Sequence, residues 1–132
     1  MPIQRFYNLP SCTLQIEGIS AEGGDRLSIL TGFECRFHHS GTKIVGDRDL
    51  LENLIKSTGR YAQTLHDEPV GIYNQSISLE PVEMYLHKLK IQPIDNSQAD
   101  IELVEVHLDT VQLFDLVESI DRLCLDPQNQ LN

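Results

Sequence analysis

Residues 26 to 38, Arg26-Leu27-Ser28-Ile29-Leu30-Thr31-Gly32-Phe33-Glu34-Cys35-Arg36-Phe37-His38, decide how the rest of the chain is read. Leu27, Ile29, Thr31, Phe33, Cys35 and Phe37 fall on one side of a two-residue repeat, and Ser28, Gly32, Glu34, Arg36 and His38 fall on the other. A helix of 3.6 residues per turn would scatter these apolar groups around its axis, so the stretch reads as a strand buried on one side. Leu30 alone breaks the polar side.

Upstream, Cys12, Leu14 and Ile16 alternate with Thr13, Gln15 and Glu17 in an opening strand or hairpin over 5–18, with Pro10 at a bulge, an edge position or a turn. The paired glycines of Ser20-Ala21-Glu22-Gly23-Gly24-Asp25 predict a turn into the 26–38 strand. Downstream, Leu51, Leu54, Ile55, Thr58, Ala62 and Leu65 recur at helical spacing to about His66, with Asp47 or Asp49 as the cap and Glu52 placed for a capping box. Pro69 stops this helix. Two strands follow, one at 76–79 before Glu80-Pro81 and one at 85–92, then a polar turn over 93–100 and a strand at 101–108 apolar enough to be central. A second helix starts at Asp109, with Gln112 completing a capping box and Leu113, Leu116, Val117, Ile120, Leu123 and Cys124 forming the buried stripe.

The order strands, helix, strands, helix predicts an α+β fold: an antiparallel or mixed sheet of about five or six strands with two helices packed on one face. One domain over 1–126 and a disordered polar tail over 127–132 are expected. No internal repeat is legible. At 132 residues the chain is long enough to bury roughly two-thirds of its unfolded surface, so it needs neither disulfide nor metal to hold a core.

Cys12, Cys35 and Cys124 are too few and too widely spaced for a disulfide framework, which fits reduced thiols in a cytoplasmic protein. The start of the chain has no apolar signal core, and no apolar run reaches the ~20 residues of a membrane helix. The net charge is −10, and it is uneven: residues 93–132 carry 9 acidic side chains against Arg122 alone. Such a surface repels phosphate backbones and anionic lipid, so neither nucleic acid nor membrane insertion is expected.

His38 and His39 are adjacent and would point to opposite faces of a strand. His66 closes a helix, and His87 and His107 stand on separate strands with no third ligand at fixed spacing, so no metal or cofactor is expected. No nucleophile elbow, phosphate-cradling loop or dinucleotide fingerprint is present, and no catalytic residue is assigned. On the last helix Val111, Phe114 and Leu125 fall outside the buried stripe, beside Glu118 and Asp121. Left uncovered, these five residues form an apolar strip with carboxylates, suited to a peptide with apolar anchors and basic flanks. The proline-bearing segment 76–82 offers a second docking edge.

Tyr7-Asn8-Leu9-Pro10-Ser11-Cys12-Thr13-Leu14, Glu17-Gly18, Leu27-Ser28-Ile29-Leu30 and Phe33-Glu34-Cys35-Arg36-Phe37 resemble the cyanobacterial domain-of-unknown-function family 4335. The likeness continues through Tyr61-Ala62-Gln63, Tyr85-Leu86-His87-Lys88-Leu89 and Thr110-Val111-Gln112-Leu113-Phe114-Asp115-Leu116. It brings no established catalytic residues. A cyanobacterial family implies work connected with photosynthetic complexes, their antennae or the carboxysome. Joined to the acidic surface, it points to a non-enzymatic protein-binding adaptor or assembly chaperone. Its partner would be a carboxysome shell or photosynthetic-complex subunit with a basic or apolar tail. The alternative is a small-molecule-binding or enzymatic domain whose pocket lies between sheet and helices, with His87 and His107 converging in it. A homodimer through a self-complementary apolar face is the third reading.

Overall fold

The first two strands are β1 (Ile3–Asn8) and β2 (Cys12–Ile19), joined at Pro10 where Leu9 N–H donates to the Cys12 carbonyl at 2.8 Å. With β3 (Ile29–Phe37) and β4 (Lys43–Gly46) they make an antiparallel sheet in the order β1-β2-β3-β4, and helix α1 (Arg48–Thr64) follows. Strands β5 (Val70–Ile72), β6 (Gln75–Glu83), β7 (Leu86–Pro93) and β8 (Val104–Asp109) make a second antiparallel sheet in the order β5-β6-β7-β8, and helix α2 (Thr110–Leu125) follows it. This computed structural model describes residues 2–64, 70–72, 75–83, 85–93 and 103–129. The expected helix stop at 65–69, the turn at 94–100, the strand start at 101–102 and the last residues of the polar tail, 130–132, lie outside them.

The fold is α+β in the expected order, and among the described residues it has eight strands in two sheets where a single sheet of five or six was expected. It is built twice from one plan: four antiparallel strands, then a helix. Each helix packs on the last two strands of its own sheet and the first two strands of the other, so α1 touches β3, β4, β5 and β6 while α2 touches β7, β8, β1 and β2. The helices also pack on each other. When the caps Asp47 and Asp109 are superposed in sequence, Leu51 falls on Leu113, Leu54 on Leu116, Ser57 on Ser119 and Arg60 on Arg122. Ile55 falls on Val117, and Tyr61 on Leu123. In the ladders Cys35 pairs with Ile44 as Leu89 pairs with Val106, which puts His87 where the first unit has Phe33.

The strand at 26–38 forms, with a correction at its start. Phe33, Cys35 and Phe37 are buried as expected, but Ile29 and Thr31 are exposed and Leu30 is buried. The β2–β3 register steps from Glu17↔Gly32 to Gly18↔Leu30, leaving Thr31 as an extra residue. A bulge shifts the alternation by one, so Leu30 turns inward on one side of it while Phe33 stays inward on the other. Thr31 Oγ1 donates to the Glu17 carbonyl at 3.1 Å. Gly18 is required beside the bulge, because a Cβ there would run into the Ile29 carbonyl oxygen.

One edge assignment also changes: the 101–108 strand was expected to be central, yet among the described residues β8 pairs with β7 alone and ends the sheet order. In the 76–82 segment, expected as an open edge, β6 runs through Pro81 and pairs with β7 along its length, while on its other side β5 pairs with residues 75–77, leaving 78–82 with no strand on that side among the described residues. Pro81 is tolerated because β5 reaches only residues 75–77 of β6, so the missing N–H of Pro81 withdraws no bond on that side.

Helix α1 starts where Asp47 Oδ1 accepts from Leu50 N–H at 3.0 Å, so Asp47 rather than Asp49 is the cap. The end of the chain folds back. Leu27 N–H donates to the Gln128 carbonyl at 2.9 Å, and Asn129 Nδ2 donates to Tyr7 Oη and to the Leu123 carbonyl at 2.7 and 3.0 Å. Residues 127–129, expected to be disordered tail, are therefore joined to the first sheet.

Candidate functional site

Helix α2 is set by its first turn. Asp109 holds extended dihedrals (φ −75°, ψ 175°), its Oδ1 accepts from Gln112 N–H at 2.7 Å, and Gln112 Oε1 accepts from Asp109 N–H at 2.8 Å. The expected capping box is present in both directions. Leu113, Leu116, Ser119, Ile120 and Leu123 face the core. Cys124, expected in that stripe, is exposed instead, and Ser119 is buried with its hydroxyl donating to the Leu116 carbonyl at 2.7 Å. The two other thiols, Cys12 and Cys35, are fully buried.

Opposite this stripe lie the five residues of the proposed strip. Val111 is 69 % exposed, Phe114 46 % and Leu125 81 %, and Glu118 and Asp121 are also at the surface. The sheets do not wrap around to cover them. Positions three, four, three and four residues apart fall within one narrow sector of a helix, so the five form a line parallel to its axis. Asp115, beside the line, is already committed: its Oδ2 accepts from Ser11 N–H at 3.1 Å and ties α2 to the β1–β2 turn. Glu118 and Asp121 are thus the carboxylates on the line itself.

The C-terminal end of α2 is fixed by a second polar group. Tyr7 Oη donates to Asp126 Oδ2 at 2.8 Å, and Gln128 N–H donates to Asp126 Oδ1 at 2.9 Å. The Gln128 N–H, and then the tyrosine, hold the Asp126 carboxyl below the ordinary carboxylate range. Burial, reinforced by the hydrogen bond to Asp126, pushes Tyr7 up to about 12.

At the N-terminal end of α2, His87 is buried between two hydroxyls. Tyr61 Oη lies 2.7 Å from its Nδ1 and Thr110 Oγ1 lies 3.0 Å from its Nε2, with the Tyr61 and His87 rings edge to face at 5.4 Å. Burial depresses the His87 pKa below its usual value, and the Asp109 charge opposes the shift only in part. His87 and His107 do not converge. His87 pairs in register with Leu108 and points inward, whereas His107 pairs with Lys88 on the outer face. No fixed spacing in the sequence linked Tyr61, His87 and Thr110, which come from a helix, a strand and the start of a second helix.

A cavity of about 320 Å³ opens at the other end of the helix pair, lined by Leu30, Leu51, Ile55 and Leu123, with Arg48, Glu52, Cys124 and Asn129 at its polar side. Arg48 and Glu52 form an ion pair at 3.0 Å. Since the start of α1 meets the end of α2 here, and Tyr61 meets Thr110 through His87 at the opposite end, the two helices run antiparallel. His38 is spent on the β1–β2 turn, contacting the Pro10 carbonyl at 3.0 Å and Thr13 Oγ1 at 2.9 Å. His39 Nε2 donates to the His107 carbonyl at 2.9 Å and so links the two sheets. Among the described residues no three His, Cys, Asp or Glu side chains gather as a metal site would need, and no helix is long and apolar enough to cross a membrane.

Comparison with curated proteins returns no match. A family model described as "Domain of unknown function (DUF4335)" matches residues 5–132. That match takes in both sheets, both helices and the strip on α2, and the chain belongs to the DUF4335 family.

Proposed function

We propose that the protein is a non-enzymatic adaptor or assembly chaperone that holds a peptide segment or tail of a partner protein on the outer face of α2. The observation that carries this reading is the exposure of Val111, Phe114 and Leu125 in one line on a helix whose opposite face is fully used by the core. Apolar side chains left uncovered in line on a well-anchored helix offer anchor positions for a partner peptide. The acidity of residues 93–132 selects the partner's charge, favouring a basic tail with apolar anchors. We place the protein in the cytoplasm of a cyanobacterium, with a carboxysome shell or photosynthetic-complex subunit as the partner class.

The test is affinity capture from a cyanobacterial lysate with wild type and Phe114→Asp at low and high salt. The reading expects one enriched protein with a basic or apolar terminal tail, lost with Phe114→Asp and captured more slowly as salt rises, while circular dichroism stays unchanged. Equal capture by both proteins removes α2 as the docking face.

A second reading, a small-molecule-binding domain, is favoured by the cavity of about 320 Å³ between the helix ends. Its volume sits at the lower limit for ligand pockets, roughly 300 Å³. A metabolite that raises the melting temperature of wild type but not of Ile55→Trp, which fills the cavity, would support that reading instead.

A further inference from the structure

We infer that the segment seated on α2 is itself a helix, basic in its middle and apolar at both ends, and that a second copy of this chain is excluded from the same face. This rests on the docking reading above and specifies its partner. Val111, Phe114, Glu118, Asp121 and Leu125 are spaced three, four, three and four residues apart, which is the alternation of the two seam positions of a heptad repeat. A seam of this period is matched by another helix crossing at a shallow angle, whereas an extended chain advances about 6.6 Å between side chains on one face and pairs through a sheet edge. From Val111 to Leu125 the seam is about 21 Å long at 1.5 Å per residue, so about four turns of a partner helix cover it.

Charge decides the occupant. The ends of the seam are apolar, with Val111 and Phe114 at one and Leu125 at the other, and its centre is Glu118 and Asp121. With the whole seam overlapped, an antiparallel copy of α2 would set Glu118 on Glu118 and Asp121 on Phe114, and a parallel copy would set Glu118 on Glu118 and Asp121 on Asp121. Either arrangement desolvates like charges or buries a carboxylate against a ring, and both are disfavoured. A partner with Lys or Arg at its two central seam positions pairs both carboxylates, and its apolar ends cover Val111, Phe114 and Leu125. Asp115 lies beside the seam, with its Oδ2 accepting from Ser11 N–H. The acidic centre thus acts as a selector, and the apolar ends supply most of the contact.

Three labelled synthetic peptides of 16 residues in about the length of the seam test the inference by fluorescence anisotropy against the full chain. They share apolar seam ends: one has Lys at the two central seam positions, one has Glu there, and one repeats the Lys peptide with two prolines between the ends to prevent a helix. The inference expects the helical Lys peptide to bind at least about ten-fold more tightly than either other, the ratio of one well-paired charge contact. Glu118→Lys combined with Asp121→Lys should reverse the preference between the Lys and Glu peptides. Equal binding of the proline peptide would overturn the helical partner while leaving α2 as a docking face. Binding of no peptide would overturn the inference, and the capture experiment with Phe114→Asp would still judge the docking reading separately. A wild-type dimer in sedimentation that Phe114→Asp dissolves would assign the face to a second copy and overturn the inference as well.

Discussion

At one end of the antiparallel helix pair Tyr61 is completely buried against His87, while at the other its counterpart Leu123 borders a cavity of about 320 Å³. The two ends occupy corresponding places in the repeated order of strands and helix, so the difference between them shows what side-chain choice does there. An aromatic ring with a hydroxyl fills the space and needs a polar partner, and His87 supplies it from the position held by Phe33 in the first unit. A leucine leaves space and asks for nothing. One end is thereby a closed polar lock and the other an apolar recess.

Truncation should separate the ends most strongly. Tyr61→Ala is expected to destabilise the protein by about 3–5 kcal/mol in urea unfolding, and to leave His87 Nδ1 without the Tyr61 hydroxyl while Nε2 keeps Thr110. Leu123→Ala should fall nearer the lower limit of the ~2–5 kcal/mol range for buried leucines, because side chains around an existing cavity have room to adjust. Equal losses would mean the two ends are packed alike.

Mild acidification, above the range where carboxylates take up protons, should weaken the His87 end. The folded chain holds the His87 pKa below its ordinary 6.5, so between that value and the depressed one the unfolded chain binds the proton and the folded chain does not. The contribution is complete above pH 6.5 and is lost as pH falls from there through the depressed folded value. Unfolding free energies measured from pH 7.5 to 5 should show this decline in wild type, and His87→Phe, which restores the first unit's residue, should remove that part of the profile. A wild type whose stability stays level as the pH drops would show that His87 protonates without consequence.

The caps offer a milder comparison. Asp47→Ala and Asp109→Ala should each cost about 0.5–2 kcal/mol, with Asp109 the larger because its box bonds run both ways while Asp47 is seen only accepting from Leu50 N–H. Smallest are the paired serines. Ser119 has a hydroxyl bond to the Leu116 carbonyl, whereas the equivalent Ser57 hydroxyl is buried with no partner among the described residues. Replacement by alanine should therefore destabilise at Ser119 by about 0.5–1.5 kcal/mol and be neutral or mildly stabilising at Ser57. Thermal melts of the two variants check the opposite signs.

Much of this was legible in local pattern and little of it in pairing. The alternation at 33–37, the two apolar helix stripes and the capping box at Asp109 are short-range features, so the residues that make them stand near one another in the sequence. Leu30, the single exception on the polar side of the 26–38 strand, marked the bulge, but its meaning needed the β2 partner that fixes Thr31 as the extra residue. The repeated plan was hidden because residue types match at only a handful of helix positions, while Phe33 and His87, or Tyr61 and Leu123, differ in chemistry at corresponding places. The split into two sheets was hidden as well, since hairpin-length links read the same whether successive strands extend one sheet or begin another. The exposed strip on α2 was traced from helical period alone. Its exposure depended on where both sheets end, which no local pattern states.

Each helix lies partly on the sheet of the other unit, and this has a consequence for the order of manufacture. Synthesis runs from the N- to the C-terminus, so β1 and β2 emerge before α2, the helix that packs on them among the described residues, and the Leu27 N–H finds the Gln128 carbonyl only once residue 128 exists. The first unit therefore waits, half dressed, until α2 has left the ribosome. Proteins dominated by such distant contacts fold late and slowly, with their apolar inner surfaces accessible to whatever binds nascent chains.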